Sequence, residues 1–280
     1  MITGLALALA LALAPVEPAP VEPAPVAAAS DSGVSLFEAG RAIAAGRLDQ
    51  AKAMLASAVA AGAKGEPVDR LLADLAFARG ENEQALLLYK GLLVAHPDEA
   101  LLLERGGIAS LKLQHADEAT RMLDRATRVP GASWRAWNAR GVAADRQGRW
   151  DEAEAAYAKA TVLDPARAEV PNNLGWSMML QGQWPEALAA FEKAFAVNPG
   201  LPQLANNLEL ARAAVSAELP KRLAGESDAS FAARLNDAGV VAATAGQAKR
   251  AEAAFAQAIE LRSRWFGRAA ENLAELGAAK

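Results

Sequence analysis

One residue pattern recurs along the chain at a spacing of 34. Gly46, Gly80, Gly148 and Gly182 stand at multiples of that step, with Gln114 in the place the series skips. Ala51, Ala85, Ala119, Ala153 and Ala187 follow the same step without a gap, and so do Leu55, Tyr89, Leu123, Tyr157 and Phe191. Ala58, Leu92, Ala126, Ala160 and Ala194 form a further register, and Pro97, Pro165 and Pro199 close three of the units. A period of this length marks a supersecondary unit that cannot bury its apolar face alone, so successive units must stack to make a core.

The frame gives five tandem units, 32–65, 66–99, 100–133, 134–167 and 168–201, and a sixth at 232–265 with Gly239, Gly246, Ala251, Phe255 and Ala258 in register. Each unit reads as two amphipathic stretches of about fourteen residues joined at the glycine turn. Small residues at the eighth slot (Ala39, Ala73, Gly107, Gly141, Gly175, Gly239) and the twentieth let paired helices approach. The larger residue at the twenty-fourth is expected to fill the gap between successive units. Proline at the thirty-second slot ends the second helix. Composition agrees: 52% of residues are hydrophobic but only 5% aromatic, so alanine and leucine dominate and strand formers are few. The frame breaks at 202–231, where a capping helix opening Leu204-Ala-Asn-Asn-Leu208 leads into a polar linker. A related helix, with Ala269-Ala-Glu-Asn-Leu273, caps the chain at 266–280. The sixth unit is expected to stack on the array, because a lone repeat is marginal.

Trp137…Gly141…Ala153…Tyr157…Ala160…Pro165 and Leu174-Gly175…Ala187…Phe191…Ala194…Pro199 resemble the tetratricopeptide (TPR) repeat. Arg140 departs from the usual leucine, and Gly131 and Ser263 from the usual proline. The resemblance implies an all-α fold, a right-handed α-solenoid or TPR superhelix, whose first helices line a concave groove. Asn172-Asn-Leu-Gly175 followed by Gln181-Gly-Gln-Trp-Pro-Glu-Ala187 is similar to TPR proteins of tight-adherence (Flp) pilus assembly of the TadD type, which commonly carry a lipidated cysteine. This chain has no cysteine.

Catalysis is not expected. Without cysteine there is no thiolate nucleophile, disulfide or Cys-based zinc site, and His96 and His115 fall in turn slots. Asp117-Glu118 and Asp151-Glu152 open second helices, where acids complement the helix dipole. No cofactor, metal or small-molecule substrate is called for. A net charge of −4 with interleaved signs gives no basic stripe for nucleic acid. Residues 1–31 hold an apolar run, Ile2 to Ala14, then a spacer, Pro15-Val-Glu-Pro-Ala-Pro-Val-Glu-Pro-Ala-Pro25. The run has the length of a signal-peptide core but lacks a basic flank. The segment is expected to be cleaved or disordered, and the chain periplasmic or in the cell envelope; a cytosolic tail and an uncleaved anchor are the alternatives.

The function expected is that of a non-enzymatic adaptor for a protein or peptide partner, in envelope, pilus or secretion-system assembly, reaching membrane complexes through partners. The alternative is a self-associating scaffold. The resemblance places groove-facing slots at Asn138, Asn172, Asn173, Trp176, Met179, Asn206 and Asn207. The asparagine amides, each with two donors and an acceptor oxygen, suit an extended peptide backbone. Trp137, Trp150 and Trp184 occupy consensus aromatic slots, whereas Trp176 is expected to stand exposed beside Met179 as a contact surface. Arg105, Lys112, Arg135 and Arg146 also fall near groove slots. Glu104 and Asp145 dilute them, and they do not match the clamp by which chaperone-binding members hold a terminal carboxylate.

Overall fold

The computed structural model describes residues 31–216, 218–261 and 267–278; the signal-like run and Pro-rich spacer lie outside the described residues. The described residues form fourteen α-helices and no strand. They divide into two compact units, one ending at Leu163 and one beginning at Asp164.

The first unit holds α1 (Asp31–Ala44), α2 (Leu48–Ala60), α3 (Glu66–Ala78), α4 (Asn82–Ala95), α5 (Ala100–Lys112), α6 (Ala116–Arg128), α7 (Trp134–Asp145) and α8 (Trp150–Leu163). Each odd-numbered helix packs on the even one that follows, and each even one on the next odd one. The odd-numbered helices also touch one another, α1 with α3 and α5 with α7. The second unit holds α9 (Glu169–Leu180), α10 (Trp184–Val197), α11 (Leu204–Ser216), α12 (Asp228–Thr244), α13 (Ala248–Glu260) and α14 (Gly267–Ala278). There α12 touches α9, α11 and α14, and α13 packs on α12 and α14.

The turn glycines have a conformational reason. Gly148 (φ 68°) and Gly182 (φ 74°) are left-handed, as the residue that ends a helix in an αL cap must be. Gln114 takes the skipped place with φ 62° and keeps the same bonds, Gln114 N–H to Leu111 O (3.1 Å) and His115 N–H to Ser110 O (2.9 Å). A non-glycine residue there costs roughly 1 kcal/mol.

The eighth and twenty-fourth slots interlock. A Cβ on Gly141 would stand 2.6 Å from the Tyr157 ring, and one on Gly175 2.6 Å from the Phe191 ring; Gly239 has the same relation to Phe255. The tyrosines add a polar demand that the phenylalanines lack. Tyr89 donates to Asp74 (2.9 Å) and Tyr157 to Asp145 (2.6 Å). Burial is the first cause that pushes both phenols up, and the neighbouring carboxylates add to it, so they remain protonated donors. Arg140, unusual for its slot, reaches back from α7 to Asp124 on α6 (2.7 Å) and lies over the Trp137 ring.

A side-chain amide face on the first helices

The first helices carry polar residues where packing alone would favour apolar ones. In the second unit Asn172 and Asn173 on α9 are buried, and Asn207 on α11 reaches back to them, its Nδ2 donating to Asn172 Oδ1 at 2.8 Å. Asn172 Nδ2 lies 3.5 Å from Asn173 Oδ1. Turning the Asn207 amide over lets its oxygen accept from Trp176 Nε1 at 3.1 Å and its nitrogen donate to the Gln203 carbonyl at 3.3 Å. The two orientations exclude each other, the first serving Asn172 and the second Trp176 and the Gln203 carbonyl, and in either one Asn172, Asn173, Trp176 and Asn207 lie in one cluster. Asn206, next to it on α11, is half-exposed and makes no side-chain hydrogen bond among the described residues. Asn138 lies in the first unit on α7, where it is buried and partnered.

One expectation is corrected. Trp176 and Met179 present no exposed contact surface: Trp176 is 4% exposed and Met179 0%. The reason lies in the preceding residue. Gly175 has no side chain, so α10 comes close enough for the Phe191 ring to meet the Trp176 ring edge-on, centroids 6.0 Å apart. Met179, one turn further along the same face, is enclosed with it.

The same amide bridge occurs again. Asn272 on α14 donates to Asn236 on α12 at 2.9 Å, and both are buried. Asn236 stands three residues before Gly239 as Asn172 stands before Gly175, and Asn272 precedes Leu273 as Asn207 precedes Leu208. That spacing was the signal available in the sequence for a second bridge. Asp237 takes the place of Asn173. Burial pushes its carboxyl from the ordinary 3.8 up to about 6, against the Asn236 amide and the Arg268 charge, which lower it. A raised folded value means stability is full below the unfolded value and is lost as pH rises through about 6. Asp237→Asn is therefore expected to raise the melting temperature at pH 8 by a few degrees, on the order of 1–2 kcal/mol given partial exposure, and to leave it unchanged at pH 4. Thermal melts at the two pH values check it; an equal effect at both contradicts the assignment.

Among the described residues no cluster of three or more His, Cys, Asp or Glu side chains is placed to hold a metal ion. His96 Nε2 lies 2.9 Å from Glu66 at the surface, and His115 precedes α6 with its ring 3.7 Å from Glu118. No described helix is long and apolar enough to cross a membrane.

Comparison with known proteins identifies the repeat in part of the chain. The tetratricopeptide-repeat family profiles match residues 105–168 and 172–201. No curated protein matches the chain in sequence. Among solved structures, the fold is similar to a tetratricopeptide repeat protein from Parabacteroides merdae (TM-score 0.56, 16% identity, 89% of this chain and 100% of that one). It is also similar to PilW, described as a widely conserved type IV pilus biogenesis factor (TM-score 0.55, 19% identity, 88% and 100%). A third likeness is to a thermophilic TPR protein of Thermus thermophilus, TTC0263 (TM-score 0.53, 22% identity, 66% and 99%). At these identities the likenesses speak for the fold. Residues 105–168 and 172–201 are thus matched as tetratricopeptide repeats, and the fold of the chain is similar to that of solved TPR proteins.

Proposed function

We propose that this chain is a non-enzymatic adaptor that holds a segment of a partner protein against its first helices, with the amide cluster of α9 and α11 as the contact face. The observation that carries this reading is Asn206. Its amide is half-exposed and uncommitted at the edge of the buried cluster of Asn172, Asn173, Trp176 and Asn207. A side-chain amide offers two donors and two lone pairs, so Asn206 keeps its full capacity for a peptide backbone while the buried amides beside it hold α9 and α11 together. Trp176 and Met179 serve this face from beneath, by fixing the amides in place.

Asn206→Ala separates this from a structural role. The variant is expected to change unfolding free energy by less than about 0.5 kcal/mol, as for a surface substitution, yet to reduce partner recovery several-fold in quantitative in-cell crosslinking. Unchanged partner recovery contradicts the proposal.

An envelope setting, with pilus or secretion-system assembly as its context, is part of this reading. It is supported by the apolar run and Pro-rich spacer at the N-terminus and by likeness in fold to a pilus biogenesis factor. Identification of the N-terminal peptide by mass spectrometry tests it: an intact Met1 peptide found only in the cytosol contradicts export. The second reading, a self-associating scaffold, is favoured by the exposed aliphatic side chains Leu87 (71%), Val94 (85%) and Val162 (80%) on second helices. In the crosslinking experiment it predicts links between copies of this chain alone.

A further inference from the structure

Three second helices of the first unit, α4, α6 and α8, are divided by charge along their length. Their first six residues hold six acids, one in α4, two in α6 and three in α8, and a single cation, Arg121. Their last six hold four cations, Lys90, Arg125, Arg128 and Lys159, and a single acid, Asp124, which accepts from Arg140. Lys90 and Arg125 are tied to Glu118 (2.8 Å) and Asp98 (3.1 Å). Arg128 and Lys159 are exposed and make no side-chain hydrogen bond or ion pair among the described residues.

The helix dipole accounts for part of this division, since it favours acids at a helix start and bases at its end. It asks nothing of the aliphatic side chains that stand among the bases. Val94, Arg128 and Val162 hold one repeat position, 34 residues apart, near the ends of α4, α6 and α8. Val94 is 85% exposed and Val162 80%, and Leu163 beside it is 52% exposed. One solvated valine needs no explanation. A row that runs aliphatic, basic, aliphatic at the same end of three consecutive second helices is a surface with both components of an interfacial contact.

We infer that this end of α4, α6 and α8 is a membrane-contact edge that rests on a bilayer containing anionic lipid. The cations meet headgroup phosphates, and Val94, Val162 and Leu163 reach the boundary of the acyl chains, the combination by which amphipathic helices adsorb to such surfaces. The acids at the helix starts repel the same surface, so contact is confined to the edge. An acidic protein would answer the cations and leave the valines in water. The edge stands whether or not the amide face binds, and it uses side chains that self-association would otherwise cover.

The chain has no cysteine, so Val94→Cys and Val162→Cys can each carry a single environment-sensitive nitrobenzoxadiazole dye. Gln84→Cys, at the exposed start of α4, carries it as the comparison. The full chain is mixed at low ionic strength with vesicles of equal parts phosphatidylglycerol and phosphatidylcholine. Dye emission is expected to shift to the blue at positions 94 and 162 and to stay unchanged at 84. The shift should be absent with phosphatidylcholine alone and reverse as salt rises. Arg128→Gln and Lys159→Gln should each weaken vesicle binding, read from the dye at position 94, by about fivefold, as for one cation lost at an anionic leaflet. Arg128→Lys should retain it. An equal shift at position 84, equal binding to both lipids as the apolar run Ile2 to Ala14 alone would give, or full affinity in both Gln variants would overturn the edge. So would the same shift with hexaglutamate in place of vesicles, which makes the partner an acidic protein, or a shift that grows with protein concentration alone, which puts a second copy there.

Discussion

Trp176→Ala is expected to destabilise the second unit by about 3–5 kcal/mol, the usual loss for truncating a buried large aromatic. The ring is 4% exposed, meets Phe191 edge-on at 6.0 Å, and in the turned orientation of the Asn207 amide donates its indole N–H to that oxygen. The edge-to-face pair accounts for roughly 0.5–1.5 kcal/mol of that, and the cavity left beside Gly175 for most of the rest. Trp176→Phe keeps the ring contact and loses the N–H, so it should cost about 1 kcal/mol from the hydrogen bond and a further share from lost volume. Chemical denaturation followed by far-UV circular dichroism reads both. A loss below about 1 kcal/mol for Trp176→Ala would mean that the indole stands clear of the core and is a contact residue after all.

Glu226→Ala should have an effect of similar size by a different route. Arg234 on α12 is 3% exposed at its side chain, Glu226 5%, and they meet at 2.5 Å and 3.0 Å. Arg234 also donates to the Lys221 carbonyl at 2.8 Å. These bonds hold the segment that interrupts the repeat frame against α12, and Arg250 on α13 helps by donating to the Ala213 carbonyl at 2.8 Å and to that of Glu218. Removing the carboxylate leaves the buried guanidinium only the more distant Glu209, 3.7 Å from Nη1, and the loss of such a buried partner typically costs about 3–5 kcal/mol. The expected result is early proteolytic cleavage between residues 218 and 227 and a lowered unfolding midpoint for the second unit. Glu226→Ala with Arg234→Met should recover part of the loss, because no buried guanidinium remains and Glu209 reaches solvent. Burial raises the Glu226 carboxyl, but the Arg234 bonds and the Leu223 N–H outweigh it and hold the group below its ordinary 4.5. The contribution is therefore present above the unfolded value and lost as pH falls through the folded one. At neutral pH it is complete, so variant and wild type should differ most there and converge in acid.

The repeat was legible because its slots are set by size. Gly141, Gly175 and Gly239 are required by the rings of Tyr157, Phe191 and Phe255, and a spacing rule expresses that contact without coordinates. The left-handed turn was legible where glycine marks it, and Gln114 hides it only from composition. Trp176 was misread because its slot in the unit does not report how close α10 comes. That distance depends on Gly175 and Phe191 together. The Asn236–Asn272 bridge was available in the spacing, yet one extra residue before Asn272 takes it out of the strict frame. The Arg234–Glu226 pair was not available. It depends on how an irregular segment folds back on α12, and no period constrains that.

The adaptor reading rests on contact at the first helices, and a photo-crosslinking amino acid at position 206, compared with one at exposed position 193 on the second helix α10, tests it most directly. The account predicts one defined partner band from position 206 in cells and none from position 193. The same bands from both positions, or links only between copies of this chain, would contradict it.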